Sequence, residues 1–133
     1  WAQLENADVI FNDRMNSWKL YKERLTSLEN RGKIQLPVVP DECGHNAHMF
    51  YIKVENLQER TELIQYLKEK DVNAVFHYIP LHSSPAGIKY GEFIGEDKYT
   101  TKESERLLRL PLYYGLKKEE ILYIVDCLER FWL

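Results

Sequence analysis

The sequence predicts an α+β domain, a short sheet covered by helices and led by one long N-terminal helix. Three observations carry that prediction. An apolar stripe at helical spacing runs from Trp1 to about Asn30. Three β-like runs, near residues 47–54, 72–79 and 110–114, alternate with helical segments. Capping signatures stand in front of two of those segments. The length of 133 residues suits one compact domain, and 44% hydrophobic with 29% charged residues is globular composition.

In the first segment Leu4, Phe11, Trp18 and Leu25 fall seven apart, with Ala7, Tyr21 and Leu28 in the companion positions. Arg14 interrupts the stripe. Aromatics at one seam position and an arginine at the other make a poor zipper, so the helix is expected against a sheet or another domain. Dimerisation through residues 4–28 is the competing reading. Asn30 and Gly32 tolerate the left-handed conformation that stops helices.

Lys33–Pro40 is a short extended run that Pro37 and Pro40 confine to an edge or a connection, and Asp41–Asn46 is a loop. Ala47–Val54 is the clearest strand, with His48, Phe50, Ile52 and Val54 on one face and Met49, Tyr51 and Lys53 on the other. Asn56 and Glu59 have capping-box spacing. They open a helix that buries Leu57, Leu63, Ile64 and Leu67 and ends at Lys68–Asp71. The strand–helix–strand connection that follows fits a parallel or an antiparallel pair equally well.

The stretch Val72–Pro85 organises the rest. It starts as a strand, with Val72, Ala74 and Phe76 at period two, and turns into a proline-punctuated loop carrying His77, Tyr78 and His82. Pro80 lacks a backbone donor, so the ladder is expected to stop there and to project polar side chains from a sheet end. Residues 81–99 form a loop long enough to suggest a binding loop or a surface that meets another chain; Tyr90 and Phe93 lie in it. Thr100 and Glu103 repeat the capping-box spacing ahead of a short helix with Leu107 and Leu108. Leu110–Tyr114 is β-like, and residues 117–131 form a final helix burying Ile121, Ile124, Val125 and Leu128.

A net charge of −3 with dispersed Lys and Arg offers no footprint for nucleic acid. No apolar run approaches the roughly 20 residues that cross a bilayer. Cys43 and Cys127 make no disulfide framework, so a reducing, cytoplasmic setting is expected. Trp1 is not Met, so the chain is expected to be a piece of something longer or a processed product. Cys43, His45 and His48 spell C-x-H-x-x-H, yet with His48 placed in the strand the two imidazoles need not converge, and no zinc site is expected. No phosphate-cradling glycine loop, nucleophile elbow or H-E-x-x-H helix occurs. On spacing alone, His77 and His82 read as ordinary loop histidines with local partners.

Three segments change that reading: HNAHMFYIKV at 45–54, AVFHYIPLHSSPAG at 74–87 and GEDKYTTKESERLLRLPLYYGL at 95–116. Together they resemble the C-terminal part of the DegT/DnrJ/EryC1/StrS family of pyridoxal-phosphate sugar aminotransferases, along essentially the whole chain. Within it the chain is similar to the transaminases that convert a dTDP-4-keto-6-deoxyhexose to its 4-amino sugar for cell-surface polysaccharide.

The resemblance implies the small C-terminal domain of a fold-type-I aminotransferase. It implies a homodimer and an amino donor such as glutamate. The large domain would hold pyridoxal 5′-phosphate through a lysine. None of the eleven lysines here stands in that lysine's context, so this chain alone is expected to be inactive and to carry no catalytic or cofactor-binding residue. The matching positions that could meet the substrate are His77, Tyr78 and His82, with Tyr90 lining the sugar or nucleotide path. Against this stands a free-standing binding or regulatory module that kept the fold without the chemistry.

Overall fold

The computed structural model describes the backbone of residues 1–133 and every side chain except those of Ala2 and Gln3. The long first helix forms with one break: a single turn, α1 (Ala2–Glu5), gives way at Asn6 to α2 (Ala7–Asn30). Only the second half of the expected stripe is covered. Trp18, Tyr21, Leu25 and Leu28 are buried, while Leu4 is 72% and Phe11 41% exposed.

Arg14, the interruption in that stripe, has a structural use. Its Nε donates to the Ala47 carbonyl at 3.1 Å and its Nη2 to the His48 carbonyl. Those carbonyls belong to a bend where Ala47 takes a φ of +48°, a conformation that leaves strand pairing. The bend corrects the predicted strand: β1 is Phe50–Lys53 rather than residues 47–54. Its alternation is the expected one, with Phe50, Ile52 and the following Val54 buried and Tyr51 and Lys53 half-buried on the opposite face. The run before it contributes one bridge, Gln35 with Lys53, above the buried Ile34 and Leu36.

Helix α3 (Leu57–Lys68) begins as predicted, with the Asn56 side chain accepting from the Glu59 amide at 3.0 Å. The Glu59 carboxylate reaches back one residue further than a capping box requires, to the Glu55 amide at 2.8 Å. Strand β2 shrinks to Val75–Phe76. Val72 and Ala74 are buried beside it without pairing, and Tyr78, at a φ of +63°, turns the backbone before Pro80 can end the ladder.

The long loop is partly ordered into a 3-10 turn (Leu81–Ser83) and α4 (Pro85–Tyr90), whose first turn is capped by Ser84 Oγ accepting from the Gly87 amide at 3.0 Å.

The next segment departs most from the prediction. Helix α5 spans Thr100–Arg106 and β3 spans Leu107–Leu110, so the strand lies where helix was expected and ends where strand was expected to begin. Burial decides it. Leu108 and Leu110 fill the core as alternate residues of a strand, and Pro111, with no amide to donate, closes the ladder. The Thr100–Glu103 capping box does not form. Asp97 instead accepts from the Thr101 amide at 3.2 Å, and Glu103 pairs with Lys53 at 2.7 Å. The last helix, α6 (Lys118–Phe131), buries the predicted residues and Cys127.

The sheet order is β1-β3-β2, and both pairings are antiparallel. β1 and β2 therefore run the same way with β3 between them, which resolves the open question of the α3 connection. Phe50, Ile52, Leu108 and Leu110 meet α2, α3 and α6 in one core. The Tyr21 hydroxyl, its pKa pushed up chiefly by burial, crosses that core to donate to the Pro111 carbonyl at 3.0 Å. The α+β architecture is the one predicted.

Candidate functional site

His77 and Tyr78 follow directly on β2, where the end of pairing releases both side chains from the ladder. Their rings lie 4.2 Å apart, tilted by 49°. His77 Nδ1 is shut off from solvent and has no hydrogen-bond partner among the described residues, so a ligand reaches the ring through Nε2 or its carbon edge. Burial foremost, and then the electrostatic influence of Arg109 and of His48, hold its pKa below the ordinary histidine value. His77 is therefore a neutral imidazole near pH 7. It can accept or donate one hydrogen bond without bringing a charge of its own.

That depressed basicity has a testable sign. The unfolded chain binds a proton at His77 more readily than the folded one, so stability contributed by the neutral ring is present above the reference value of about 6.5 and is lost as pH falls below it through the lower folded value. His77→Gln is expected to flatten the pH dependence of thermal unfolding from about pH 6.5 downward, the side set by the lowered folded value. An unchanged pH slope in the variant contradicts the assignment.

Tyr78 is 72% exposed and lines a groove of about 260 Å³ with Phe76, Ile79, Pro80, Ser83 and Thr101. Arg60 of α3 forms its floor, the guanidinium 5.4 Å from the Phe76 ring and donating to the Ser104 carbonyl at 2.7 Å. His82 faces inward instead. Its Nε2 sits 2.8 Å from Asp97 Oδ2 and its ring 4.5 Å from that of Phe93, while the Thr101 hydroxyl donates to the same carboxylate oxygen at 2.5 Å. These bonds, that from Thr101 foremost, hold the Asp97 carboxyl below its ordinary pKa. The His82–Asp97–Thr101 cluster thus ties the two ends of the long loop together, with Thr101 also touching the groove. Tyr90 ends α4 at 79% exposure with the Lys89 ammonium 4.9 Å from its ring, and it does not line the groove.

Sequence reasoning passed over Asp97, Thr101, Arg60 and Arg109. Asp97 carried a legible signal, a carboxylate one turn before a helix start, whereas the arginines are placed only by tertiary packing. A larger hollow of about 730 Å³ opens between the turn after α3, the segment after β3, and α6. Asp71, Glu119 and Glu120 line it with Lys70, an acidic balance unfavourable to anionic ligands, and none of the predicted residues reaches it.

This α+β fold is shared by part of larger aminotransferase structures. Residues 1–129 match the DegT/DnrJ/EryC1/StrS aminotransferase family, and the chain belongs to it. It is 25% identical to the GDP-perosamine synthase of Escherichia coli O157:H7, across 98% of this chain and 34% of that protein. It is 29% identical to the dTDP-3-amino-3,6-dideoxy-alpha-D-galactopyranose transaminase of Aneurinibacillus thermoaerophilus, across 74% and 26%.

Among solved structures, the aminotransferase TlmJ of Streptoalloteichus hindustanus superposes with a TM-score of 0.85 at 17% identity, over 98% of this chain and 34% of that one. The chain spans about a third of the length of the curated relatives it matches.

The family's cofactor is pyridoxal phosphate, and the amines present here do not fit the role of holding it. Lys53 is neutralised by Glu103 at 2.7 Å, and Lys22 donates to the Pro37 carbonyl at 3.3 Å. The remaining lysines are exposed, whereas an imine-forming lysine needs a desolvated pocket that keeps its amine neutral.

Proposed function

We propose that this chain is the C-terminal third of a homodimeric nucleotide-sugar aminotransferase. The enzyme passes an amino group, from glutamate, to a dTDP-4-keto-6-deoxyhexose destined for cell-surface polysaccharide in the cytoplasm. Pyridoxal phosphate and its lysine belong to the preceding large domain, and the chain by itself is inactive. The observation that carries the proposal is the apolar surface around the site. Phe76, Tyr78, Ile79, Leu81, Ile88 and Ile94, in the stretch that starts at β2 and carries His77, are 47–88% exposed. An isolated soluble domain rarely leaves so many large apolar side chains in water, so this stretch is built to be covered.

In this reading His77 and Tyr78 meet the sugar, through a ring hydroxyl or the keto oxygen. His82 positions the loop through Asp97, and Tyr90 reaches the nucleotide path from the end of α4. The test separates the two halves of the reaction in the complete enzyme. His77→Ala is expected to slow amine transfer to the keto sugar by on the order of 10²-fold, the worth of a general acid–base or orienting hydrogen bond. The half-reaction with glutamate is expected to change far less. Equal losses in both halves remove His77 from the sugar.

A further inference from the structure

The 3-10 turn and α4 fall within residues 80–91, and among the described residues one side chain of that segment carries its polar ties to the rest of the domain. The other hydrogen bonds stay inside the segment. The Ser83 and Ser84 amides donate to the Pro80 carbonyl, the Ile88 amide to that of Ser84 and the Gly91 amide to that of Gly87. The Ser83 and Ser84 hydroxyls donate to the Pro80 and Leu81 carbonyls. The outward tie is His82, whose Nε2 lies 2.8 Å from Asp97 Oδ2 and 3.4 Å from the Thr101 hydroxyl.

Asp97 extends that tie to a second element. Its carboxylate accepts from the Thr101 hydroxyl at 2.5 Å and from the Thr101 amide at 3.2 Å, so one side chain joins the 3-10 turn to the start of α5. The side chains of His82 and Asp97 are only 21% and 19% exposed, and the Phe93 ring lies 4.5 Å from the imidazole. Hydrogen bonds to a carboxylate drawn this far out of water are stronger than exposed ones.

The two joined pieces are the walls of the groove that Tyr78 lines. Tyr78, Pro80 and Ser83 line it from the segment around His82, and Thr101 and Ser104 line it from α5. Neither His82 nor Asp97 is part of the lining, so the bond that spaces the walls is made outside the groove.

We infer that Asp97 is a positioning residue for the nucleotide sugar: through His82 and Thr101 it holds the walls of the Tyr78 groove at the spacing that receives this substrate. The inference rests on the aminotransferase reading, in which Tyr78 meets the sugar. The lining sets the aromatic rings of Phe76 and Tyr78 beside the hydroxyl-bearing Ser83 and Thr101. That mixture suits a deoxysugar, whose ring presents C–H faces as well as hydroxyls. The amino donor is a much smaller ligand and does not need the groove, so Asp97 separates the two half-reactions.

The test uses the complete enzyme with Asp97→Ala, Asp97→Asn, His82→Ala and the double variant of Asp97→Ala with His82→Ala. The two half-reactions are followed separately through the cofactor's absorbance, and thermal unfolding is measured without substrate. Wild type is measured first; if it performs neither half-reaction, the aminotransferase reading falls and the inference with it.

Where wild type is active, Asp97→Ala is expected to raise KM for the nucleotide sugar by about 10- to 100-fold, the range of charge-assisted hydrogen bonds, with KM for glutamate nearly unchanged. Asp97→Asn recovers part of the loss, because its amide oxygen still accepts from His82 and Thr101. The double variant is expected to be no worse than Asp97→Ala alone, since either change removes the same tie. Losses that multiply in the double variant mean that Asp97 acts without His82, and they overturn the inference. An equal rise in KM for both substrates overturns it as well. So does an unchanged KM for the nucleotide sugar, and a lowered Tm in that case leaves Asp97 with a purely structural role.

Discussion

Leu108→Ala is expected to lower the unfolding free energy of this chain by about 3–5 kcal/mol, the upper part of the range for truncating a fully buried leucine. Leu108 is completely buried in the middle strand, opposite Ile52 on one side and Phe76 on the other. A cavity there touches both strand pairings and the helical layer at once, with little room to collapse. Domains of this size hold only about 5–15 kcal/mol in total, so the variant is expected to melt at least about 10 °C lower. Phe76→Ala provides the contrast. Phe76 faces the same direction in the register but is 47% exposed, so its truncation is expected to cost clearly less in this chain. Equal losses for the two substitutions contradict the placement of the core.

Gly87→Ala is expected to break the turn that carries Tyr90 while leaving the sheet intact. A Cβ at Gly87 falls 1.6 Å from the Leu81 carbonyl oxygen, an overlap that only backbone movement relieves. The 3-10 turn and α4 pack against each other in this loop, and Leu81, Ile88 and Tyr90 are largely exposed, so they lack a core to hold them in a shifted position. Hydrogen exchange at the Ile88 and Gly91 amides, which donate to the Ser84 and Gly87 carbonyls, is expected to accelerate by on the order of tenfold or more, with global Tm nearly unchanged. Retained protection of both amides contradicts this account of the loop.

The fold was legible wherever one residue pattern had one meaning. The stripe of Trp18, Tyr21, Leu25 and Leu28, the alternation Phe50–Ile52–Val54 and the apolar face of α6 all emerged as written in the sequence. The failures share a cause. In L-L-R-L-P the local sequence suits the last turn of a helix or a strand, and only the vacancy between β1 and β2, contributed by residues far away, selects strand. The left-handed Ala47 and Tyr78 shortened two strands without any glycine to announce them.

At the site, His77 and Tyr78 were visible as polar residues at a strand end, whereas the role of His82 depends on Asp97, fifteen positions on, folding back beside it.

The central claim is that this chain works as the C-terminal third of a larger aminotransferase. The most direct measurement is the size of the native polypeptide in its source cells, read by immunoblot with an antibody against this domain. The account predicts a band about three times heavier than 15.9 kDa, as follows from a chain that spans 33–34% of its relatives. A single band at 15.9 kDa contradicts it and leaves the stretch around His77 as the surface of a free-standing binding module.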